Sequence, residues 1–415
     1  MTPKISVIGL GYVGLPLAIA FAKHYPVIGY DISTKRISGL LDNQDITNEV
    51  SPSMLKNSKA LFTNNEILLK ESDIFIVTVP TPVFSNNKPN LSMLKNACTL
   101  IGRFLKRGSI IIFESTVYPG CTEDYCIPIL EKSSKLKLNN EFFVGYSPER
   151  INPGDKQHTF TKINKVVSAS TPLAAKKIAK IYGKVIDAKI FIASSIKVAE
   201  AAKIIENTQR DINIALMNEF SLILQKMDIR TKDVLDAAKT KWNFLDFKPG
   251  LVGGHCIGVD PYYLAFKAQD LGINPRVILS GRDVNNSIPK HIVKKIILET
   301  GVKKPKILIL GFTFEPDCPD IRNSKVLDVI KHFNKRNITP YLYDPLYESD
   351  PELNLKYIFK NSLDKFPSMH SILLLVPHKK LVQYGPSNLK KLLIKDGYFF
   401  DMSSSFANHE SDGSL

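Results

Sequence analysis

The chain has 415 residues, 44% of them apolar and 23% charged, with 55 Lys and Arg against 40 Asp and Glu. That length suits two to three domains with a core in each, and that composition excludes wholesale disorder. No apolar run is long enough for a membrane-spanning helix, and five cysteines make no disulfide framework, so a reducing cytoplasmic setting without a membrane is expected.

The net charge of +15 is mostly lysine, spread along the whole chain. It is either a Lys-rich surface or the footprint of an anionic partner such as a phosphorylated small molecule. Nucleic-acid binders concentrate charge and interleave it with aromatics or Arg. No such stripe occurs, so no nucleic-acid partner is expected.

In chain order, residues 1–22 open like a signal peptide, with one Lys and then an apolar run. Three Gly and a Pro interrupt that run and no A-x-A site follows, so the segment reads as a strand turning into a helix. Residues 5–9 form the strand, 15–23 the helix and 27–30 a second strand ending in Asp31. Further strands are expected at 74–79, 109–114 and 142–146, each after a helical or polar stretch, which argues for a parallel, doubly wound sheet. Residues 194–229 contain no Gly and no Pro and read as one helix of about 54 Å that joins two domains or two subunits. Residues 306–311 then echo 5–9, followed by a helix at 323–335 and a strand at 339–343 ending in Asp344. This second βαβ half lacks the second and third glycines, so it is not a second dinucleotide fingerprint. The fold class is α/β, with two Rossmann-like doubly wound domains joined by the long helix and a helical middle domain. The domains are 1–193, 194–300 and 301–415.

Gly9-Leu10-Gly11-Tyr12-Val13-Gly14 fits G-x-G-x-x-G between a strand and a helix. Gly9 permits the turn, Gly11 admits a pyrophosphate to the backbone, and Gly14 lets helix and strand pack closely. The alternative is a Gly-rich turn with no ligand. Asp31 can accept hydrogen bonds from a ribose diol and repels a 2′-phosphate, which favours NAD over NADP. Arg36 is expected to stack near the adenine or hold the ribose edge. Val79-Pro80-Thr81-Pro82 ends a later strand, and is either a ligand-binding edge or a rigid turn.

Cys256 lies in a Gly-rich stretch, Gly253-Gly254-His255-Cys256-Ile257-Gly258, just before a helix expected at 262–270. A thiol near a helix N-terminus is a candidate nucleophile, and the alternative is a small buried thiol. Cys121, Cys126 and His255 lack metal-ligand spacing, so no metal is expected. Lys203 and Asn207 share a face of the long helix. They are either a pair that holds a developing oxyanion or a solvated Lys with a surface Asn.

Residues 5–16, Ser115-Thr116-Val117-Tyr118-Pro119-Gly120, Ser147-Pro148-Glu149-Arg150-Ile151-Asn152-Pro153-Gly154 and residues 253–264 together resemble the UDP-glucose/GDP-mannose dehydrogenase family over essentially the whole chain. Trp242-Asn243-Phe244-Leu245 ahead of Phe247-Lys248-Pro249-Gly250 resembles the branch that oxidises UDP-N-acetylhexosamines for O-antigen and capsule sugars. The resemblance implies two hydride transfers from C6 of a UDP-N-acetylhexosamine to NAD, with Cys256 trapping the aldehyde as a thiohemiacetal and then a thioester. It implies that Lys203 and Asn207 stabilise oxyanions, that Thr116, Glu149 and Asp260 order water or support acid–base steps, and that Glu149 is a general base through water. It places Tyr12, Val13, Ser115, Thr116 and Arg322 with the cofactor, and Glu149, Arg150, Ile151, Asn152, Phe247, Lys248, Val252, Gly253 and Phe314 with the substrate. It also implies a homodimer or higher homo-oligomer built on the long helix. After Phe314 the family pattern continues with Lys, whereas this chain has Glu315. UDP-ManNAc or UDP-glucose is the alternative substrate. A two-electron hydroxyacid dehydrogenase and a silent NAD-binding scaffold are the alternatives from other classes.

Overall fold

The computed structural model describes residues 2–151, 159–254, 257–348, 353–407 and 409–415. They form two compact units, Met1–Glu206 with Tyr262–Asn274, and Asn207–Pro261 with Pro275–Leu415. Residues 194–300, expected as a middle domain, are divided between the two.

The first unit is built on an eight-stranded sheet: β1 (Ile5–Ile8), β2 (Val27–Tyr30), β3 (Leu61–Thr63), β4 (Ile74–Val77), β5 (Ser109–Phe113), β6 (Phe142–Tyr146), β7 (Lys165–Ala169) and β8 (Ile190–Ile192). The strand order is β3-β2-β1-β4-β5-β6-β7-β8. Alternate residues face two separate cores. Ile5, Val7, Ile74 and Ile76 enter one, while Ile8, Phe75 and Val77 enter the other. A sheet covered on both faces explains why these strands are continuously apolar. The expectation of a parallel sheet holds from β3 to β6 and fails at β7, which runs antiparallel to β6. A parallel partner needs a helical crossover, and the described residues between these two strands form no helix. The order reverses between β1 and β4, which places a ligand-binding crevice beyond the carboxyl ends of those strands.

The long helix spans Ile196–Lys226, 31 residues and about 46 Å, shorter than its sequence suggests. It starts late because Ser195 accepts the Val198 amide on its hydroxyl, the contact of a cap outside the helix. It stops early because Asp228 turns to φ 54°, in the left-handed region that ends helices. Among the described residues three more helices follow before the second sheet, Thr231–Ala238, Asp260–Asp270 and Arg276–Thr300.

The second unit carries a five-stranded, wholly parallel sheet: β9 (Ile307–Leu310), β10 (Tyr341–Tyr343), β11 (Ile358–Phe359), β12 (Met369–Leu374) and β13 (Leu393–Asp401), in the order β11-β10-β9-β12-β13. The expected echo of the first unit is exact in its turn. Gly9 (φ +95°) donates to the Tyr30 carbonyl, and Gly311 (φ +83°) donates to the Tyr343 carbonyl. Asp31 accepts the Leu10 amide, and Asp344 accepts the Phe312 amide. The copies differ in what fills the turn. In the second, Asp344 also holds buried His378 at 2.9 Å, which contacts the Thr313 hydroxyl at 3.2 Å. The other ring nitrogen of His378 accepts the Asp317 amide, so the ring fills that turn.

Candidate active site

The glycine turn after β1 has the local geometry its motif demands. A Cβ at Gly14 would stand 1.8 Å from the Gly9 carbonyl oxygen, so the helix Gly14–Ala22 approaches the strand this closely only without a side chain. A Cβ at Gly11 would meet nothing within 4 Å, so the space beyond Gly11 is open. The helix has Val13 at its cap position and no side-chain cap for its first amides. Open space before uncapped amides, at the positive end of a helix, suits a pyrophosphate. Asp31 is fixed beside the turn by the Leu10 and Ser33 amides, both at 2.9 Å. These residues fit a dinucleotide.

Arg36 corrects the expectation of an adenine or ribose contact. Its side chain is buried, donating from Nε to the Leu10 carbonyl at 2.7 Å and from Nη1 to Asp45 at 2.8 Å. Asp45 carries the other half of a buried ion pair, so the guanidinium braces the glycine turn from within the protein. An Arg near the start of a helix after Asp31 gives no sign of which side of the turn it takes.

The ends of β4 and β5 are tied together. The Ser115 hydroxyl donates to the Val79 carbonyl and the Thr81 hydroxyl to the Thr116 carbonyl, both at 2.6 Å. The Tyr263 hydroxyl donates to the Thr81 carbonyl at 2.8 Å. Val79, Pro80, Thr81, Ser115 and Thr116 therefore form one rim at the carboxyl edge of the sheet. Thr78 joins this rim to the glycine turn through its hydroxyl, 2.7 Å from the Gly9 carbonyl.

Glu149, following β6, is buried and fully engaged. Oε1 accepts the Arg150 and Ile151 amides at 2.7 and 2.9 Å, and Oε2 accepts the Lys165 ammonium at 2.8 Å. Lys165 bonds equally to Glu114 at 2.7 Å, and the Tyr182 hydroxyl donates to the other oxygen of Glu114. Arg150 is turned to Glu206, with contacts of 2.8 and 2.9 Å. Asn152 lies outside the described residues.

The long helix presents a buried polar stripe. Lys203 and Asn207 are 8% and 5% exposed, which rules out the solvated alternative for both. Asp211, Asn218 and Ser221 continue the stripe at 0%. Asn207 donates to Asp260 at 2.5 Å. Among the described residues, none forms a hydrogen bond or ion pair with the Lys203 ammonium. A buried ammonium so placed is a site for an anionic or strongly dipolar ligand group. One turn earlier, Glu200 accepts the Gly120 amide at 2.5 Å and the Thr122 amide at 2.9 Å, anchoring the turn after Thr116. Burial pushes the Glu200 carboxyl up to about 7 against the pull of those amides.

The segment leading to Cys256 is clamped at both ends. Asn218 donates to the Gly250 carbonyl at 3.0 Å and accepts the Gly250 amide at 2.9 Å. The Gly254 amide donates to the Asn323 carbonyl, and a Cβ at Gly254 would stand 2.7 Å from the Phe314 ring. A Cβ at Gly253 would stand 2.6 Å from the Asn323 carbonyl oxygen. Val252 is buried, Phe247 half-buried and Lys248 exposed, and the structure brings Phe314 against Gly254, the residue after Gly253. Asn218 is itself held by Asn285, which with Arg282 secures Asp211. Cys256 and His255 lie outside the described residues. Arg322 folds back on Asp320 with a 2.7 Å contact. Burial pushes the Glu315 carboxyl above its ordinary range, and the Arg210 guanidinium pulls it back.

Sequence reasoning missed Lys165, Glu114, Glu200, Asp211, Asn218 and Asn285. A signal exists for three of them, since Glu200, Asp211 and Asn218 share the face of Lys203 and Asn207 at helical spacing. Lys165 opens an apolar strand, which reads as a solvated strand end, and its two partners come from distant segments. The thiols Cys98, Cys121, Cys126 and Cys318 are buried. Hydrogen bonds from Cys121 and Cys98, together with burial, push Cys126 well above its ordinary range, the opposite of an activated nucleophile.

Three domain models of the UDP-glucose/GDP-mannose dehydrogenase family match: the NAD binding domain over residues 3–186, the central domain over 197–287 and the UDP binding domain over 308–408. The chain is 47% identical to Protein CapL of Staphylococcus aureus, over 97% of this chain and 96% of that protein. It is 45% identical to a UDP-N-acetyl-D-glucosamine 6-dehydrogenase of Pseudomonas aeruginosa, over 99% of this chain and 98% of the relative. Among solved structures, a UDP-D-ManNAc dehydrogenase from Pyrococcus horikoshii superposes with a TM-score of 0.87 at 28% identity, covering 98% of this chain and 96% of the other.

Proposed function

The chain belongs to the UDP-glucose/GDP-mannose dehydrogenase family, and on that premise we propose that it oxidises C6 of UDP-GlcNAc or UDP-GalNAc to the uronic acid in two hydride transfers. It is an NAD-dependent nucleotide-sugar 6-dehydrogenase. NAD, when bound, supplies the hydride acceptor at each oxidation. Gly9, Gly11, Tyr12, Val13, Gly14 and Asp31 would hold it, with the rim of Val79, Pro80, Thr81, Ser115 and Thr116.

The observation that carries the reading is Lys203, a buried ammonium with no bonding partner among the described residues, one turn before the Asn207–Asp260 pair. When Cys256 or water adds to the C6 carbonyl, the carbonyl oxygen gains negative charge, and an ammonium beside an oriented amide stabilises that charge. Cys256 adds to the C6 aldehyde to give a thiohemiacetal, and the second oxidation leaves a thioester. Water then adds to the thioester carbonyl, its proton passes to Glu149, and the Cys256 thiolate leaves. The clamp of Asn218 on Gly250 holds the segment that carries this thiol. Phe314 and Gly253 contribute to the nucleotide surface, and Asp260 orients Asn207.

The apolar residues Phe220 and Ile223 are exposed on the long helix at 41% and 50%, and Met227 just past its end at 60%, which supports a homodimer formed through that helix. Among the described residues no helix is long and apolar enough to cross a membrane. The product suits surface-polysaccharide synthesis from the cytoplasmic pool of nucleotide sugars.

Counting NADH per sugar across UDP-GlcNAc, UDP-GalNAc, UDP-ManNAc and UDP-glucose tests the reading. Two NADH with one of the first two sugars preferred is expected. One NADH would make the chain a two-electron dehydrogenase, and none would make it a scaffold.

A further inference from the structure

The buried group Glu114–Lys165–Glu149 holds two carboxylates on one ammonium. Lys165 is 1% exposed, Glu114 3% and Glu149 6%, so little water is present to screen them. Each carboxylate takes one short contact from the same Nζ, at 2.7 and 2.8 Å. The three residues come from three neighbouring places at one edge of the sheet: the end of β5, the segment after β6, and the start of β7. Tyr182, on the helix Pro172–Tyr182, closes the group by donating to Glu114, and the Phe160 ring lies 5.0 Å from the ammonium.

We propose that Lys165 and Glu114 are positioning residues that set the base strength of Glu149, the ammonium fixing its orientation and the second carboxylate tuning its hold on a proton. This rests on the reading of Glu149 as the base that acts through water. Glu149 accepts three hydrogen bonds, from the Arg150 and Ile151 amides and the Lys165 ammonium. While Glu114 is protonated, Lys165 is fully available to Glu149. Once Glu114 ionises, it competes for the same ammonium and adds a like charge beside Glu149. Burial, offset by Lys165 and reinforced by the Glu149 charge, pushes Glu114 up to about 7. The group therefore changes state near neutral pH and strengthens Glu149 above it. In the hydrolytic step the water O–H bond breaks and Glu149 receives the proton, the C–O bond forms at the thioester carbon, and the C–S bond then breaks as the Cys256 thiolate leaves.

The test compares full-length wild type with Glu114→Gln, Lys165→Arg, Lys165→Met and Glu149→Gln, measuring kcat and KM from pH 5.5 to 9. Glu114→Gln should lose the rise in kcat near pH 7 and run about tenfold below wild type at pH 8, with the KM for UDP-sugar and the melting temperature little changed. Lys165→Arg, which keeps a cation between the carboxylates, should restore most of the rate at pH 8 relative to Lys165→Met. A Glu114→Gln profile parallel to wild type overturns the proposal. If Glu114→Gln does not fold, infrared difference spectra of the wild-type protein decide. A protonated carboxylic acid band that titrates near pH 7 and persists in Glu200→Gln, whose own carboxyl also lies at about 7, supports the proposal, and its absence there overturns it. Full turnover by Glu149→Gln would instead remove Glu149 as the base, a failure of the underlying reading that leaves its own distinct signature.

Discussion

Replacing Gly11 and Gly14 separately by Ala should divide cofactor binding from folding. A Cβ at Gly14 would lie 1.8 Å from the Gly9 carbonyl oxygen and 2.4 Å from the Thr78 hydroxyl. Ordinary contacts need about 3.5 Å, so backbone must move by more than an ångström. Overpacking of that kind costs about 1–3 kcal/mol, or a fall of roughly 3–10 °C in melting temperature for a unit of this size. Ala at Gly11 meets nothing within 4 Å and Gly11 is not at positive φ, so stability should change by less than about 0.5 kcal/mol. Its methyl group would nevertheless occupy the open space before the helix amides. Loss of one charge-assisted hydrogen bond, about 1.5–3 kcal/mol, weakens NAD by roughly ten- to a hundredfold. Differential scanning fluorimetry and calorimetric titration of NAD measure the two effects. Wild-type NAD affinity in Gly11→Ala, with the fold intact, would refute the placement of the pyrophosphate.

Cys256→Ser should bind NAD and UDP-sugar yet lose steady-state turnover, because a hydroxyl is a much poorer nucleophile at neutral pH. Near-normal uronic acid production by that variant would remove Cys256 from the mechanism. Asp31→Ala should weaken NAD more than UDP-sugar and narrow the preference for NAD over NADP, read from the two cofactor affinities. Unchanged affinity and discrimination would place the ribose elsewhere. Glu315→Lys should lower the KM for UDP-sugar at unchanged saturated turnover. It replaces a carboxylate near Arg210 by a cation, and opposite unit charges at about 4 Å are worth roughly 1–4 kcal/mol. A KM that stays level or rises would mean Glu315 points away from the nucleotide.

What the sequence reveals and hides follows from the range over which each signal acts. The glycine turn and its aspartate are local, so Gly9, Gly14 and Asp31 could be assigned from spacing, and so could the second turn at Gly311 and Asp344. The strands β2 and β6 match their expected bounds because continuous apolar runs between turn residues leave little choice. The reversal of β7 is set by how the chain returns after Glu149, which no periodicity encodes. Burial of Lys203 was equally hidden, since a lysine on a helix most often faces water and only tertiary packing shows otherwise. Arg36 shows the same limit from the other side. A basic residue near a cofactor motif suggests a ligand contact, yet the ion pair with Asp45 commits it to the interior.

The His378 ring in the second turn bears on what a repeated backbone frame can be used for. Both copies keep the glycine and the aspartate that shape the turn, so both carry the frame on which a dinucleotide could settle. In the first copy a Cβ at Gly11 would meet nothing within 4 Å, whereas in the second Asp344, His378 and Thr313 bond to one another. The Phe312 amide and His378 take one oxygen of Asp344 and the Leu346 amide takes the other, all inside the protein. The second turn thus repeats the shape of the first with its carboxylate buried, so the same backbone frame serves as a scaffold rather than as an open acceptor.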